Sequence, residues 1–318
     1  MAGFWGYARG DARAPAGAVS VRAYDPAKEW RADGTQAADL AARMPRLVER
    51  AHEIAASVAY GVHGRKRAGV GETFWQYRPF MSGEAAHRID WRRSARSDQL
   101  YVREREWEAA HDYFLWMDCS PSMAFASSLA MDDKLSRGVT LGLALADVLV
   151  RGGERVAALG LSAPVSARDI IDRLARAISA DATIHAELPP EAPLRPRARL
   201  VLISDFLADA DALAARLRAY ADAGASGALL MLIDPSEETL PFSGETVFLD
   251  TDGGPAFHAG DAAQLRAAYA QRFAAHVESV RAAAQQAGFL FLRHHTDRPA
   301  AEAALALAMG LQGAGERR

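Results

Sequence analysis

The sequence predicts an α/β protein: a mostly parallel central sheet with helices on both faces, preceded by a small strand-rich module. From residue 112 onward, short apolar runs alternate with segments of helical period, and such alternation builds a parallel sheet covered on both sides. Three of those runs, "DYFLWMD", "ARLVLISDF" and "GALLMLIDP", end in an acid, at Asp118, Asp205 and Asp234. Ahead of them, "TFWQYRPF" and "DQLYVREREWE" are rich in aromatic and β-branched residues, the composition of strands.

Residues 1–37 mix Gly, Ala, Pro and Arg without period and read as a loose N-terminal arm. "AADLAARMPRLVERAHEIAASVAYG" has helical spacing at Leu40, Met44, Leu47, Val48, Ile54 and Val58. The basic run Arg65, Lys66 and Arg67 reads as a solvated turn. Residues 38–111 thus form an N-terminal helix and strand-rich module, and residues 112–318 the main domain. In the main domain, "DDKLSRGVTLGLALADVLVRGG" is a helix closed by Gly152 and Gly153. "ERVAALGL" is a strand and "ARDIIDRLARAISA" an amphipathic helix. "DADALAARLRAYADAG" follows the strand ending at Asp205. "ETVFLDTDG" reads as an edge strand, "DAAQLRAAYAQRFAAHVESVRAAAQQAG" as a long helix, "FLFLRHH" as the last strand and "PAAEAALALAMGL" as the final helix.

The composition bounds the function. The net charge of -3 provides no general field for nucleic acid. The single cysteine, Cys119, excludes an internal disulfide and a cysteine-based zinc site. The N-terminus lacks the apolar block of a signal peptide. No stretch approaches the ~20 apolar residues of a membrane span; the best candidate, "LGLALADVLV", carries Asp147. These features lead to the expectation of a soluble, cytoplasmic protein.

In open α/β sheets ligands bind beyond the carboxyl ends of the strands. There "DCSPS" places Asp118, Ser120 and Ser122 at alternate positions, which point the same way in extended chain. With Asp205 they form a hard oxygen-donor set, suited to Mg²⁺ rather than zinc. Serine and aspartate after a strand are equally the ordinary residues of turns and helix caps. No nucleophile elbow, Walker loop or His-Glu-x-x-His motif is present. His294 and His295 are adjacent on a strand and point to opposite faces, so they do not form a pair.

"DCSPSM" resembles the Asp-x-Ser-x-Ser signature of von Willebrand factor type A domains, and "LISD" resembles their later strand ending in Thr/Ser-Asp. Upstream, "GETFWQYRPFMSGEAAHRIDWRRSARSDQLYVREREWE" is similar to the hallmark of the bacterial family known as domain of unknown function 58. The resemblance implies a type A, Rossmann-like fold and a metal-ion-dependent adhesion site holding Mg²⁺, with Mn²⁺ as an alternative. Asp118, Ser120, Ser122 and Asp205 would be its ligands. The family's middle ligand is a threonine; here Ser162 and Ser166 are the only hydroxyls in the corresponding segment. Cys119, lying between ligands, would face away from the ion. The resemblance also implies a partner, a MoxR-type AAA+ ATPase, and a role in maturing protein complexes of some client.

The expected function is therefore a soluble, non-enzymatic adaptor with a Mg²⁺-dependent contact. The alternatives are a degenerate type A domain that binds partners without metal, and a metal-dependent phosphoesterase using Asp118 and Asp205. In "RIDWRRSAR", Arg88, Arg92, Arg93 and Arg96 are candidate partner-binding residues. Asp90 and Trp91 are expected to be structural, with Trp91 in a small core.

Overall fold

The computed structural model describes residues 7–10, 35–63, 74–81, 84–105, 110–180, 186–249 and 256–315. The chain divides into two compact units, Met1–Gly61 with His111–Arg318, and Val62–Ala110.

In the small unit, β2 (Phe74–Pro79) pairs antiparallel with β3 (Tyr101–Arg105), with a bulge between Phe74 and Gln76. Between them lies the single-turn helix α2 (Trp91–Ser94). Asp90 caps α2 by accepting the Arg93 N–H at 2.9 Å. The Ser94 hydroxyl donates to the Asp90 carbonyl at 2.8 Å and accepts the Tyr101 N–H at 2.9 Å, which fixes α2 to β3.

The large unit begins with β1 (Tyr7–Gly10) and α1 (Thr35–His63). Its sheet and helices follow in order: β4 (Asp112–Met117), α3 (Lys134–Arg151), β5 (Arg155–Ala158), α4 (Ile170–Ala180), β6 (Arg199–Ser204), α5 (Ala210–Asp222), β7 (Ser226–Ile233) and α6 (Pro235–Thr239). Then come β8 (Thr246–Leu249), β9 (Phe257–Ala259), α7 (Arg266–Gln286), β10 (Leu290–His295) and α8 (Ala300–Gly315).

Five strands form one all-parallel sheet in the order β10-β7-β6-β4-β5. β6 and β7 are apolar and buried along nearly their whole length because helices cover both faces. On one face Leu200, Leu202, Leu229 and Met231 pack with Leu213 and Leu217 of α5 and Phe273 and Val277 of α7. On the other, α3 lies between α4 and α8. Gly142 on α3 lets Met117 approach closely: a Cβ there would sit 2.3 Å from the Met117 sulfur. α3 is buried almost all round, Lys134 and Arg137 included.

The order locates a ligand site. The first strand of this sheet, β4, has the second, β5, on one side and the third, β6, on the other. The chain therefore changes winding direction between β4 and β6, and the crevice beyond their carboxyl ends is the topological switch point. Asp118 ends β4 and Asp205 ends β6.

Three features differ from the sequence reading. Residues 7–10, expected within a loose arm, form β1, which pairs antiparallel with β8 in a separate three-stranded sheet with β9. β8, expected at the edge of the main sheet, belongs to that small sheet instead. α1, grouped by sequence with the strand-rich module, lies in the large unit. Arg50 there grips Asp132 with two hydrogen bonds of 2.6 and 2.8 Å, and Arg43 reaches Asp133 at 3.2 Å. The buried stripe of α1, Leu40, Met44, Leu47, Ala51, Ala55 and Val58, follows the expected helical spacing.

Gly227 on β7 tests this packing. A Cβ there would lie 1.8 Å from the Leu200 carbonyl oxygen on β6, and neither backbone can move without opening the ladder. Gly227→Ala is expected to lower unfolding stability by roughly 3 kcal/mol or more, beyond the usual range of overpacking at flexible side chains. Urea denaturation of parent and variant checks it.

Candidate functional site

The Asp118 N–H donates to the Ile203 carbonyl at 2.8 Å, continuing the β4–β6 ladder one residue past the strand. This fixes the carboxylate at the switch point. Its Oδ1 accepts the Ser120 N–H at 2.7 Å and its Oδ2 accepts the Ser204 hydroxyl at 2.5 Å. The side chain is 1 % exposed. Pro121 then opens a short 3₁₀ turn over Pro121–Ala124 that turns the chain back. The Ser120 and Ser122 hydroxyls lie 3.2 Å apart, Ser120 buried and Ser122 half-buried. The structure thus brings Asp118, Ser120 and Ser122 together. Cys119 is buried, with its Sγ 3.6 Å from the Met117 carbonyl oxygen.

Asp205 is buried on the adjoining strand end. Its Oδ1 accepts the Leu207 N–H at 3.2 Å, and its Oδ2 accepts the Lys134 ammonium at 2.8 Å. Lys134 is the first residue of α3 and is 0 % exposed. It also donates to Glu237 on α6, and its Nζ sits 5.7 Å from the centre of the Phe125 ring. Glu237 in turn accepts the Asp234 N–H at 2.9 Å, closing the capping box of α6. The Asp234 carboxylate accepts the Ser127 N–H at 2.7 Å, the Ser127 hydroxyl at 2.6 Å, and both the N–H and the hydroxyl of Ser236 at 2.8 Å. The third strand-end acid is therefore a cap that holds the loop after Ser122 against α6.

Burial pushes the Asp118 carboxyl above the usual carboxylate range, and the neighbouring Asp205 adds to this against the hydrogen bonds from Ser204 and Ser120. Burial also raises Glu237, opposed by Lys134. Burial alone would lower Lys134; the charges of Asp205 and Glu237 reverse that, and its pKa is raised.

The remaining sequence candidates are Ser162, Ser166 and the arginines of the small unit. Ser162 is exposed and accepts the Ala158 N–H at 3.0 Å, capping the turn after β5. Val165 bridges antiparallel to Val156, so the chain has already run back along β5 before the exposed Ser166, which is carried away from the strand ends. In the small unit Arg92, Arg93 and Arg96 are exposed; the Arg88 side chain lies outside the described residues. Arg93 stacks over Tyr77 and Tyr101, 5.6 and 5.4 Å from the ring centres. Trp91, expected in a small core, is 62 % exposed, because α2 is a single turn whose only buried side chain is Ser94.

Two members of the strand-end cluster, Lys134 and Glu237, were not among the sequence candidates. The available signal was Lys134's place on one stripe with Leu141 and Leu145 of a largely apolar helix.

A divalent ion needs free anionic donors. Asp118 suits one, with the Ser120 and Ser122 hydroxyls as neutral donors beside it, but Asp205 is already paired with a buried ammonium. Among the described residues no group of three His, Cys, Asp or Glu side chains is placed to hold a metal. The residues present do not fit a metal centre formed with Asp205.

The parallel sheet, its switch point and its strand-end acids define an α/β protein consistent with the Rossmann-like and type A-like class. The family model described as "Protein of unknown function DUF58" matches residues 76–279, well over half the chain, and the protein belongs to that family. Uncharacterized proteins of Mycobacterium tuberculosis (strain H37Rv) and Mycobacterium bovis are each 26% identical over 263 residues, covering 76% of this chain and 80% of the relative. The crystal structure of the conserved hypothetical protein BatB from Bacteroides thetaiotaomicron aligns with 15% identity, covering 64% of this chain and 100% of that one, at a TM-score of 0.33.

Beside the site, at the end of β10, His294 Nε2 lies 2.9 Å from Arg137 Nη1. Arginine only donates, so this nitrogen is unprotonated. Burial, and then the Arg137 charge, lower its pKa to about 4. The unfolded chain takes up this proton below its ordinary pKa of about 6.5 while the folded chain refuses it, so the contribution of His294 to stability falls as pH drops from ~6.5 towards 4, by roughly 3 kcal/mol, against the opposite contributions of Asp118 and Glu237. His294→Gln keeps an acceptor for Arg137 and is expected to flatten that part of the profile. Urea midpoints measured across this pH window check it.

Proposed function

We propose that this protein is a non-enzymatic adaptor that binds a partner protein at the rim beyond β4 and β6, and that it does so without a metal bridge. The observation carrying this reading is the Lys134–Asp205 pair, which neutralises inside the protein the carboxylate that a bridging Mg²⁺ or a phosphoesterase centre would use. The nearby imidazoles are engaged as well: His294 by Arg137, and His295 by Glu238 at 2.6 Å. Nothing in this geometry activates Ser120 or Ser122 as a nucleophile.

Apolar surface supports binding. The loop held by Asp234 presents Leu129 and Met131, the latter 65 % exposed. A cavity of about 220 Å³ adjoins the end of β4, lined by Leu115, Met117, Leu159, Leu161, Ile178 and Pro190 among others, and a buried apolar anchor in such a pocket is how most interfaces gain affinity. The family resemblance supplies the partner class, a MoxR-type AAA+ ATPase acting with a client protein. Among the described residues no helix is long and apolar enough to cross a membrane.

A second reading keeps the metal bridge. The paired Ser120 and Ser122 hydroxyls favour it, with Mg²⁺ or Mn²⁺ held by them and Asp118, and the partner's carboxylate completing the site. Binding of the purified ATPase distinguishes the two. Leu129→Asp with Met131→Asp is expected to weaken binding roughly thirtyfold or more, the size of one hot-spot residue. Chelator should leave parental binding unchanged. Equal binding by the double variant contradicts the placement of the interface, and loss of binding in chelator restores the metal bridge.

A further inference from the structure

We infer that Lys134 is a built-in cation, which performs for this rim the assembling role that a divalent ion performs in a metal-dependent strand-end site. Its ammonium joins three separate parts of the chain: the start of α3, Asp205 after β6, and Glu237 on α6 after β7. The choice of position is otherwise unfavourable. A cation at the first turn of a helix faces the positive end of the helix dipole, and a fully buried ammonium loses all its hydration. Only the converging carboxylates make the position tolerable, as a metal's ligands do for a metal. The ring of Phe125 covers the ammonium from a further side. Two carboxylates, Asp205 and Glu237, thus share one permanent cation. A charge attached by a covalent stem cannot be chelated or exchanged, and the rim stays assembled whatever the metal supply. The inference deepens the proposed metal-free contact and rests on that reading for its bearing on partners. The experiment uses the protein alone, so its failure is separate from a failure of the adaptor reading.

The first arm uses the parent protein. Millimolar Mn²⁺ or Mg²⁺ and excess chelator are expected to leave its melting temperature unchanged, and the electron paramagnetic resonance signal of free Mn²⁺ should not diminish on adding protein. The second arm uses Lys134→Met, which keeps the length and removes the charge. This variant should melt several degrees lower, and Mn²⁺ should recover at least half of the fall by binding the carboxylates left without a cation. Adding Asp205→Asn should abolish the recovery. If Mn²⁺ stabilises the parent, and Ser120→Ala with Ser122→Ala removes that effect, ion and lysine coexist and the inference is overturned. It is also overturned if folded Lys134→Met ignores Mn²⁺. Should Lys134→Met fail to fold with or without metal, the parent arm alone decides.

Discussion

An ammonium with no access to water must be neutralised where it stands. Lys134 meets that condition through Asp205 and Glu237, and much of the rim's geometry follows from it. Asp205 is aimed by β6 and by its own hydrogen bond to the Leu207 N–H. Phe206, between them, takes a left-handed backbone conformation with φ of 48° and is held by the Ser204 hydroxyl at 2.8 Å. That same hydroxyl donates to Asp118, so the ends of β4 and β6 are tied by one serine. Glu237 is aimed by the α6 capping box, and the cap residue Asp234 anchors Ser127. Removing one partner of a buried pair typically costs about 3–5 kcal/mol, because the other charge is left uncompensated.

The next turn of α3 repeats the device towards the β10 edge of the sheet. Arg137 is buried against Asp132 at 2.9 Å, donates to the carbonyls of Thr296 and Arg298, and meets His294. Asp132 also receives Arg50 from α1. The segment from Ser127 to Arg137 is thereby fixed to α6, to the end of β10 and to α1. A binding surface carried on such a segment is ordered before a partner arrives, which lowers the entropy cost of association. Leu129 and Met131 stand on this stretch.

The parallel sheet was legible because strands buried on both faces must be written as apolar runs, and β6 and β7 are. The strand-end acids were legible because polar residues closing such runs have few other places to be. The cluster's cation was not: a lysine after two aspartates reads as solvated, and only the packing of α3 on every side makes Lys134 internal. Glu237 was hidden in the same way within "DPSEET", where acids early in a helix suit its dipole anyway. β1 was illegible because Tyr7–Gly10 has no alternating pattern and finds its partner, β8, far along the chain. Trp91 misled because an aromatic in a patterned segment suggests a core, which a single-turn helix with one buried side chain does not supply. Ser162 and Ser166 were candidates only by their place in sequence; the antiparallel return of the chain at Val165 separates Ser166 from the rim.

The central claim is that Lys134 is charged, buried and permanently paired at the rim. Nitrogen NMR of the lysine side chains, assigned through Lys134→Arg, addresses it most directly. The account predicts an ammonium resonance for Lys134 that exchanges slowly with solvent at neutral pH and does not shift when Mg²⁺ is added. A Lys134 ammonium in fast exchange with water, or displaced by Mg²⁺, would contradict it.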